Sequence, residues 1–352
     1  MPIQPDLLER VALRMNLAPG VLLDFLGAQA FRAVCAAVEL GVFEALAQGP
    51  RSASEVAERV QANERGVRLL LEALEALGYV ESRNGRVAST RMTKKWLTNA
   101  SSVSLARGIP FFDSMVFDRW GHLAESIRRG EPVVNGYDWL DRDPKRWATY
   151  EDAMLVLARA AAPEIVSKTK IPPTARRLLD IGGGHGLYAI EFCRRHPNLS
   201  AAIFDLPPAL GAARRTIAGE TMAARVSTIE GDLRSADFGS DYDVVLLFNI
   251  LHGFGAGEIT NLLHRIRGAM NRGGTVVILE QTTDRAGRAA GRALARLQAL
   301  NFFNDLGSET YTTDEIRGWL TTAGFSRCKA TSLRSMPGFT LLTASKKEGE
   351  RK

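Results

Sequence analysis

The chain has 352 residues, enough for about two domains. Its 45% hydrophobic and 24% charged residues are ordinary for a soluble globular protein, and its net charge of +6 is interspersed, so it describes a mildly basic surface. Three cysteines, Cys35, Cys193 and Cys328, lie far apart without C-x-x-C spacing, which excludes a disulfide framework and a zinc site and points to a reducing compartment.

No basic start, apolar core and small-residue cleavage site open the chain. No uninterrupted apolar run approaches the roughly 18 residues that span a membrane, so a cytoplasmic protein without a membrane segment is expected. Ala28 to Leu40 reads as an apolar-rich helix ended by Gly41. Ser52-Ala-Ser-Glu55 is a capping box for a short helix, Glu55 to Val60. After Ala62-Asn63, a second helix spans Glu64 to Leu77, with Val67, Leu70, Leu71, Leu74 and Leu77 at helical spacing and Gly78 as its stop. Tyr79–Ser82, Asn84-Gly85 and Arg86–Ser89 then form strand, tight turn and strand. Helix, turn, helix and hairpin make a winged helix.

Winged helices commonly bind DNA. The would-be recognition helix carries Arg65 and Arg68 but also Glu64, Glu72 and Glu75, with no Asn/Gln/Arg cluster for base edges. Arg83, Arg86, Arg91, Lys94 and Lys95 make the hairpin and its exit more basic, as a phosphate-tracking wing would be. A structural or dimer-forming role for residues 1–100 is favoured over nucleic-acid binding.

Residues 101–172 read as a mostly helical linker with a loop near Asn135-Gly136 and Asp143-Pro144, rich in aromatic residues and methionine. Such a linker can grip a flat apolar substrate. Pro172-Pro173 marks the start of a last domain, 173–352, in which strands and helices alternate as in a parallel sheet covered on both faces. Strands are expected at Arg177–Ile181, Ala201–Asp205, Val226–Glu230, Asp243–Phe248 and Thr275–Glu280. A helix at Asp314–Ala323 precedes an edge hairpin, Ser326–Leu333 with Gly338–Ser345. The polar tail 346–352 is expected to fray.

Leu178-Leu-Asp-Ile-Gly-Gly-Gly-His-Gly186 is the most informative stretch. An apolar strand end runs into glycines that let the backbone turn sharply and approach a ligand. The helix Leu187 to Arg195 then points its free N–H groups over the turn. Asp205 ends the next apolar run about 20 residues on, where such folds place the acid that holds a ribose. A dinucleotide fingerprint needs its third glycine three residues after the second; counted from Gly184, that position is Leu187. The packed G-G-G-x-G suits a neutral or cationic cofactor better than a pyrophosphate, and S-adenosylmethionine is the one expected.

With these residues in hand, the chain resembles the S-adenosylmethionine-dependent O-methyltransferases that carry an N-terminal winged-helix dimerisation domain, a group of plant phenolic and bacterial tailoring enzymes. The likeness runs from about Phe25 to Ser345. It implies a Rossmann-like α/β sheet, mostly parallel with an antiparallel last strand, and a homodimer. It also implies cofactor contacts at Asp180, Gly182 and Gly184, at Asp205 and Leu206 in Phe204-Asp-Leu-Pro207, at Asp232 and Leu233 in Glu230-Gly-Asp-Leu233, and at Asn249. His252 in Asn249-Ile-Leu-His252 falls at the family's general base, and Glu280 in Val277-Ile-Leu-Glu280 at the glutamate that orients it. Tyr150 and Met154 fall where an aromatic ring and a methionine face substrate and sulfonium; Met115 and Phe303 are further acceptor-pocket candidates. No metal site is implied.

A methyl sulfonium is already activated, so transfer needs an in-line acceptor about 3 Å away more than acid–base power. A phenol with pKa near 10 is mostly protonated at neutral pH. A neutral imidazole can take its proton as the oxygen attacks, for roughly 10²–10⁴-fold, and a carboxylate behind it fixes the tautomer. Three residues depart from the family pattern. Gly253 and Phe254 replace the usual aspartate and tryptophan, and Thr310 stands at the second flanking glutamate, with Glu309 one place early. The leading expectation is O-methylation of a small aromatic or polyketide-like hydroxyl in secondary metabolism. Carbon or nitrogen methylation by proximity is the runner-up, and a DNA-binding regulator with a ligand-sensing domain the alternative of another class. The remaining histidines read as bland: His185 a variable residue of the turn, His196 a helix end, His122 and His264 helix surface.

Overall fold

The computed structural model describes residues 5–219, 223–284 and 289–347, so the tail beyond Lys347 lies outside the described residues. The chain divides into two compact units, Met1–Ser114 and Met115–Lys352.

In the first unit, α1 (Leu7–Arg14) opens on a capping box between Asp6 and Glu9. The helix expected from Ala28 begins earlier: α2 covers Val21–Glu39, and Gly41 takes the left-handed conformation (φ 77°) that ends it. Among the described residues α2 is the one helix long and apolar enough to cross a membrane. A search for uninterrupted apolar runs passes over it because Asp24 and Arg32 break the run, and Arg32 pairs with Asp113 at 2.6 Å. After the one-turn α3 (Val42–Ala45), α4 (Ala53–Arg59) opens on the expected box between Ser52 and Glu55. Asn63 caps α5 (Glu64–Ala76), which buries Val67, Leu71 and Leu74. Strands β1 (Val80–Arg83) and β2 (Arg86–Ser89) pair across Asn84 (φ 51°) and Gly85 (φ 74°), both left-handed as a tight hairpin turn demands. Helices α6 (Arg91–Trp96) and α7 (Ile109–Ser114) complete the unit.

The second unit opens with a π-helical turn, Met115–Arg119, and α8 (Leu123–Arg129). Where a loop was expected near 135–144 there is a short helix, α9 (Gly136–Asp141), and Asn135 and Asp143 are N-caps of α9 and of the 25-residue α10 (Pro144–Lys168). Asn-Gly and Asp-Pro pairs mark helix starts as readily as turns, because the side-chain oxygen satisfies an orphan N–H and proline costs nothing at the first helical position.

A seven-stranded sheet follows: β3 (Arg177–Ile181), β4 (Ser200–Asp205), β5 (Val226–Glu230), β6 (Tyr242–Phe248), β7 (Met270–Gln281), β8 (Phe325–Ser332) and β9 (Phe339–Lys346), in the order β5-β4-β3-β6-β7-β9-β8. The first five are parallel; β9 runs antiparallel between β7 and β8, completing the expected edge hairpin. Helices α11 (Leu187–Arg195), α12 (Leu210–Ala218), α13 (Ala256–Ala269), α14 (Ala289–Leu306) and α15 (Thr313–Thr322) complete the order. Two apolar clusters cover the faces of the sheet; α10 and α11 contribute Ile165 and Phe192 to one, α13 and α15 contribute Leu263 and Ile316 to the other. This double burial is why β6 and β7 are apolar at consecutive positions. Because the strands are parallel, the segments that follow β3 to β7 all leave one edge, where such sheets bind ligands.

Candidate cofactor and acid–base site

The glycine turn after β3 is built on positive φ at Gly182 (67°), Gly184 (45°) and Gly186 (73°). A side chain on Gly182 would collide with Ile250, and one on Gly184 would lie 2.9 Å from Glu151 Oε2. Asp205 is joined to the turn directly: its Oδ2 accepts the Gly184 N–H at 2.7 Å and its Oδ1 the Leu206 N–H at 2.7 Å. Burial raises the Asp205 carboxyl above its ordinary range, against the pull of those two N–H groups.

Asp180, named from sequence for the cofactor, sits near the end of β3 just before the turn. It is buried against Gly183, where a Cβ would sit 2.8 Å from Oδ2, and burial with neighbouring Asp205 pushes its pKa up to about 7. His185 is more than a variable turn residue. Its Nδ1 accepts the Leu187 N–H at 3.1 Å, capping α11, and burial lowers its pKa to about 4, so the ring stays neutral. His196 ends α11, and His122 and His264 are exposed, as expected.

Sequence reasoning missed Glu151. It is only 4% exposed on α10, its carboxylate faces the Gly184 turn, and burial with Asp205 nearby raises its pKa well above the usual carboxylate range. The available signal was an acid set between Tyr150 and Met154 on a helix face that also buries Ala153 and Val156. Tyr150 and Leu206 pack on one small cluster with Leu140, Trp147 and Ala209. The Trp147 ring meets Tyr150 edge-on at 6.0 Å, and Met154 is half-buried one turn along α10. Asp232 is exposed after β5, where its Oδ1 accepts the Arg234 N–H at 2.8 Å, and Leu233 packs on the sheet. Asn249, left-handed at φ 56°, turns the chain as β6 ends.

Leu251–Gly253 form a 3-10 turn that carries His252. Glu280, wholly buried near the end of β7, divides its oxygens: Oε1 lies 2.6 Å from His252 Nδ1, and Oε2 accepts the Leu251 N–H at 2.9 Å. Phe302 of α14 stacks on the imidazole, ring centroids 3.8 Å apart and planes 9° from parallel. Phe303, the ring named from sequence, is the half-buried neighbour, and Met115 is half-buried at the start of the π-helical turn. Thr310 is buried with Oγ1 lacking a hydrogen-bond partner among the described residues, while Glu309 is exposed.

The α14 face beyond Phe302 is polar. Asn301 accepts Trp120 Nε1–H at 2.7 Å, Asn304 donates to the Arg119 carbonyl at 3.1 Å, and Asp305 pairs with the buried Arg119 guanidinium at 2.5 Å. Burial raises the Asp305 carboxyl to about 6 despite that pair. No group of histidine, cysteine and acidic residues among the described residues is arranged to hold a metal ion.

Comparison with known proteins places the chain. Residues 120–326 match an O-methyltransferase domain and residues 25–99 an O-methyltransferase dimerisation domain. The 3-hydroxy-5-methyl-1-naphthoate 3-O-methyltransferase of Streptomyces sahachiroi is 30% identical over 306 residues, covering 86% of this chain and 88% of the relative. Mouse acetylserotonin O-methyltransferase is 28% identical over 334 residues, 90% of this chain and 84% of the relative. Among solved structures, an O-methyltransferase family protein from Burkholderia thailandensis matches with a TM-score of 0.79 and 28% identity, covering 99% of this chain and all of that one. Human N-acetylserotonin methyltransferase, solved in complex with S-adenosylmethionine, shares the fold at a TM-score of 0.83 and 24% identity, over 99% of this chain and 100% of that one. With both of its units matched, the chain belongs to the O-methyltransferase family and is an S-adenosylmethionine-dependent O-methyltransferase.

Proposed function

We propose that this enzyme methylates the hydroxyl of a small aromatic or polyketide-like acceptor, with His252 as general base and Glu280 as the group that orients it. The observation that carries the reading is the 2.6 Å contact between His252 Nδ1 and a wholly buried Glu280. The carboxylate accepts Nδ1–H, so Nε2 keeps its lone pair for the acceptor proton. When the acceptor hydroxyl gives up its proton, the O–H electron pair stays on oxygen and the proton passes to Nε2. Glu280 then faces an imidazolium it stabilises.

The chain's own groups fit S-adenosylmethionine, which when bound supplies a methyl group on a cationic sulfonium. Gly182 and Gly184 leave the space that side chains would fill. The buried Glu151 carboxylate beside that space suits an ammonium group, which removes the need for a proton. Asp205 still has lone pairs for ribose hydroxyls after its two N–H contacts. Asp180, Asp232, Leu206, Leu233 and Asn249 are assigned to cofactor contact as well. Tyr150, Met154, Met115 and Phe303 are assigned to the acceptor pocket.

Residues 1–100 are assigned to homodimer formation, 101–172 to acceptor contact and 173–352 to cofactor binding. A dimer is supported by apolar residues left exposed on α1 and α2, among them Leu8, Leu22 and Phe25. The acidic face of α5, with Arg68 engaged by Glu72 at 2.6 Å, speaks against a DNA-reading role. Free thiols at Cys35, Cys193 and Cys328 suit work in the cytoplasm. The test is incubation with methyl-labelled cofactor and a panel of hydroxylated naphthoates, phenols and polyketide aromatics. Label in a methyl ether supports the reading; label on carbon or nitrogen, or on aliphatic alcohols alone, overturns it.

A further inference from the structure

The His252 imidazole is held on two sides by different elements. Glu280 fixes one edge from β7, through Nδ1 at 2.6 Å. Phe302 fixes one face from α14, its ring 3.8 Å away and nearly parallel. The segment that follows α14 is seated on the histidine turn as well, by the Ser308 hydroxyl, which donates to the His252 carbonyl. No second carboxylate joins Glu280 on the ring among the described residues, and the buried Thr310 hydroxyl reaches no partner there.

We propose that Phe302 is a positioning residue for methyl transfer, its ring holding the imidazole plane so that Nε2 faces the acceptor and stabilising the imidazolium where a second carboxylate is lacking. This rests on the reading of His252 as base. A phenyl ring suits the task because it neither donates nor accepts a proton and so leaves Nε2 to the acceptor. Once the proton arrives, the imidazolium lies over the negative face of a ring well inside the roughly 6 Å at which cations are attracted to aromatics, an effect worth about twofold to thirtyfold in favour of the protonated form. The other charged groups near the turn are already engaged. Arg234, after β5, reaches the Gly253 carbonyl at 3.4 Å and pairs with Glu258 of α13 at 2.6 Å. Asp305, one turn beyond Phe302 on α14, pairs with Arg119.

The test is titration of the His252 ring by NMR in full-length, ¹⁵N-histidine-labelled protein, with His252→Ala to assign the signal. Phe302→Met and Phe302→Leu keep apolar bulk and should lower the imidazole pKa by about half a unit to one and a half units. Phe302→Tyr should restore it. Turnover should fall about tenfold in the Met and Leu variants with KM for cofactor unchanged, and the acidic limb of the kcat–pH profile should move with the NMR shift. Two folded variants of unchanged imidazole pKa and turnover would overturn the proposal. Undiminished turnover in His252→Ala would instead overturn the base reading, while the NMR shift would still report the stack.

Discussion

Asp205 grips the glycine turn it faces, accepting the Gly184 N–H at 2.7 Å with one oxygen while the other takes the Leu206 N–H. The acid assigned to the ribose is thus also part of the turn. Asp205→Ala should weaken cofactor binding about tenfold to a hundredfold, the worth of a lost charge-assisted hydrogen bond or two. It should also lower the thermal midpoint of the free enzyme, because the Gly184 N–H loses its acceptor. Isothermal calorimetry and thermal melts read the two effects, and unchanged affinity would refute the ribose assignment.

For the acid–base pair, His252→Ala should cost roughly 10²-fold or more in turnover while calorimetry finds the cofactor affinity intact. Glu280→Gln should lose less, since an amide oxygen can still accept from Leu251 or from Nδ1. A loss of only a few-fold in His252→Ala would leave proximity as the mechanism.

Glu151 makes cofactor binding pH-dependent. In the free enzyme burial keeps its carboxyl protonated well above the usual range, and a bound ammonium would favour the ionised form. Binding should therefore release a proton and tighten as pH rises, levelling once the free-enzyme carboxyl is ionised. Glu151→Gln should bind more weakly and lose that slope, a difference that calorimetry in buffers of unlike ionisation enthalpy will detect. A wild-type affinity flat with pH would remove Glu151 from the cofactor site.

The same burial shapes stability. Burial pushes the Asp180 carboxyl up to about 7 and that of Asp305 up to about 6 in the folded state, from an ordinary value of about 3.8. Between those values the folded state binds more protons, so stability falls as pH rises, with the slope ending above about pH 7. Glu164 has the opposite sign. Its pKa is lowered to about 2 although its burial opposes this, because the Arg334 and Ser335 N–H groups, Lys168 and the Ser335 hydroxyl all favour its charge. Its contribution is present above about 4.5 and is lost as pH falls toward 2. Urea melts of the free enzyme should thus be most stable in mildly acid buffer, and Asp180→Asn should flatten the decline toward neutrality. A stability that climbs from pH 5 to 7.5 would contradict this.

Gly182→Ala should destabilise the enzyme by about 1–2 kcal/mol from left-handed strain alone, with a further cost as Ile250 is pushed aside. Chemical denaturation measures it. A neutral effect would show that the turn relaxes freely.

The Ser52–Glu55 capping box, the Asn-Gly hairpin and the five parallel strands depend on neighbouring residues and on pattern, and they were readable from the sequence for that reason. The pairing of His252 with Glu280 was implied by the family resemblance, and the fold allows it because the turn after β6 and the end of β7 lie at the same edge of the sheet. Glu151 was not readable: on α10 it is one acid in a helix, and its role comes from packing against a turn 33 residues later in the chain. The Asn135 and Asp143 signals were read as a loop because one residue type serves both turn and cap.

The sequence by itself determined most of the elements, their order and the glycine turn, since local hydrogen bonding and hydrophobic period decide these, while His252 and Glu280 were named through the resemblance to a known family. Only the tertiary structure decided what surrounds the imidazole. Phe302 covers its face, and Thr310 offers it no charge. Which of two adjacent helical residues meets a distant ring depends on how α14 is rotated against the sheet, and that rotation is set by packing rather than by any local pattern.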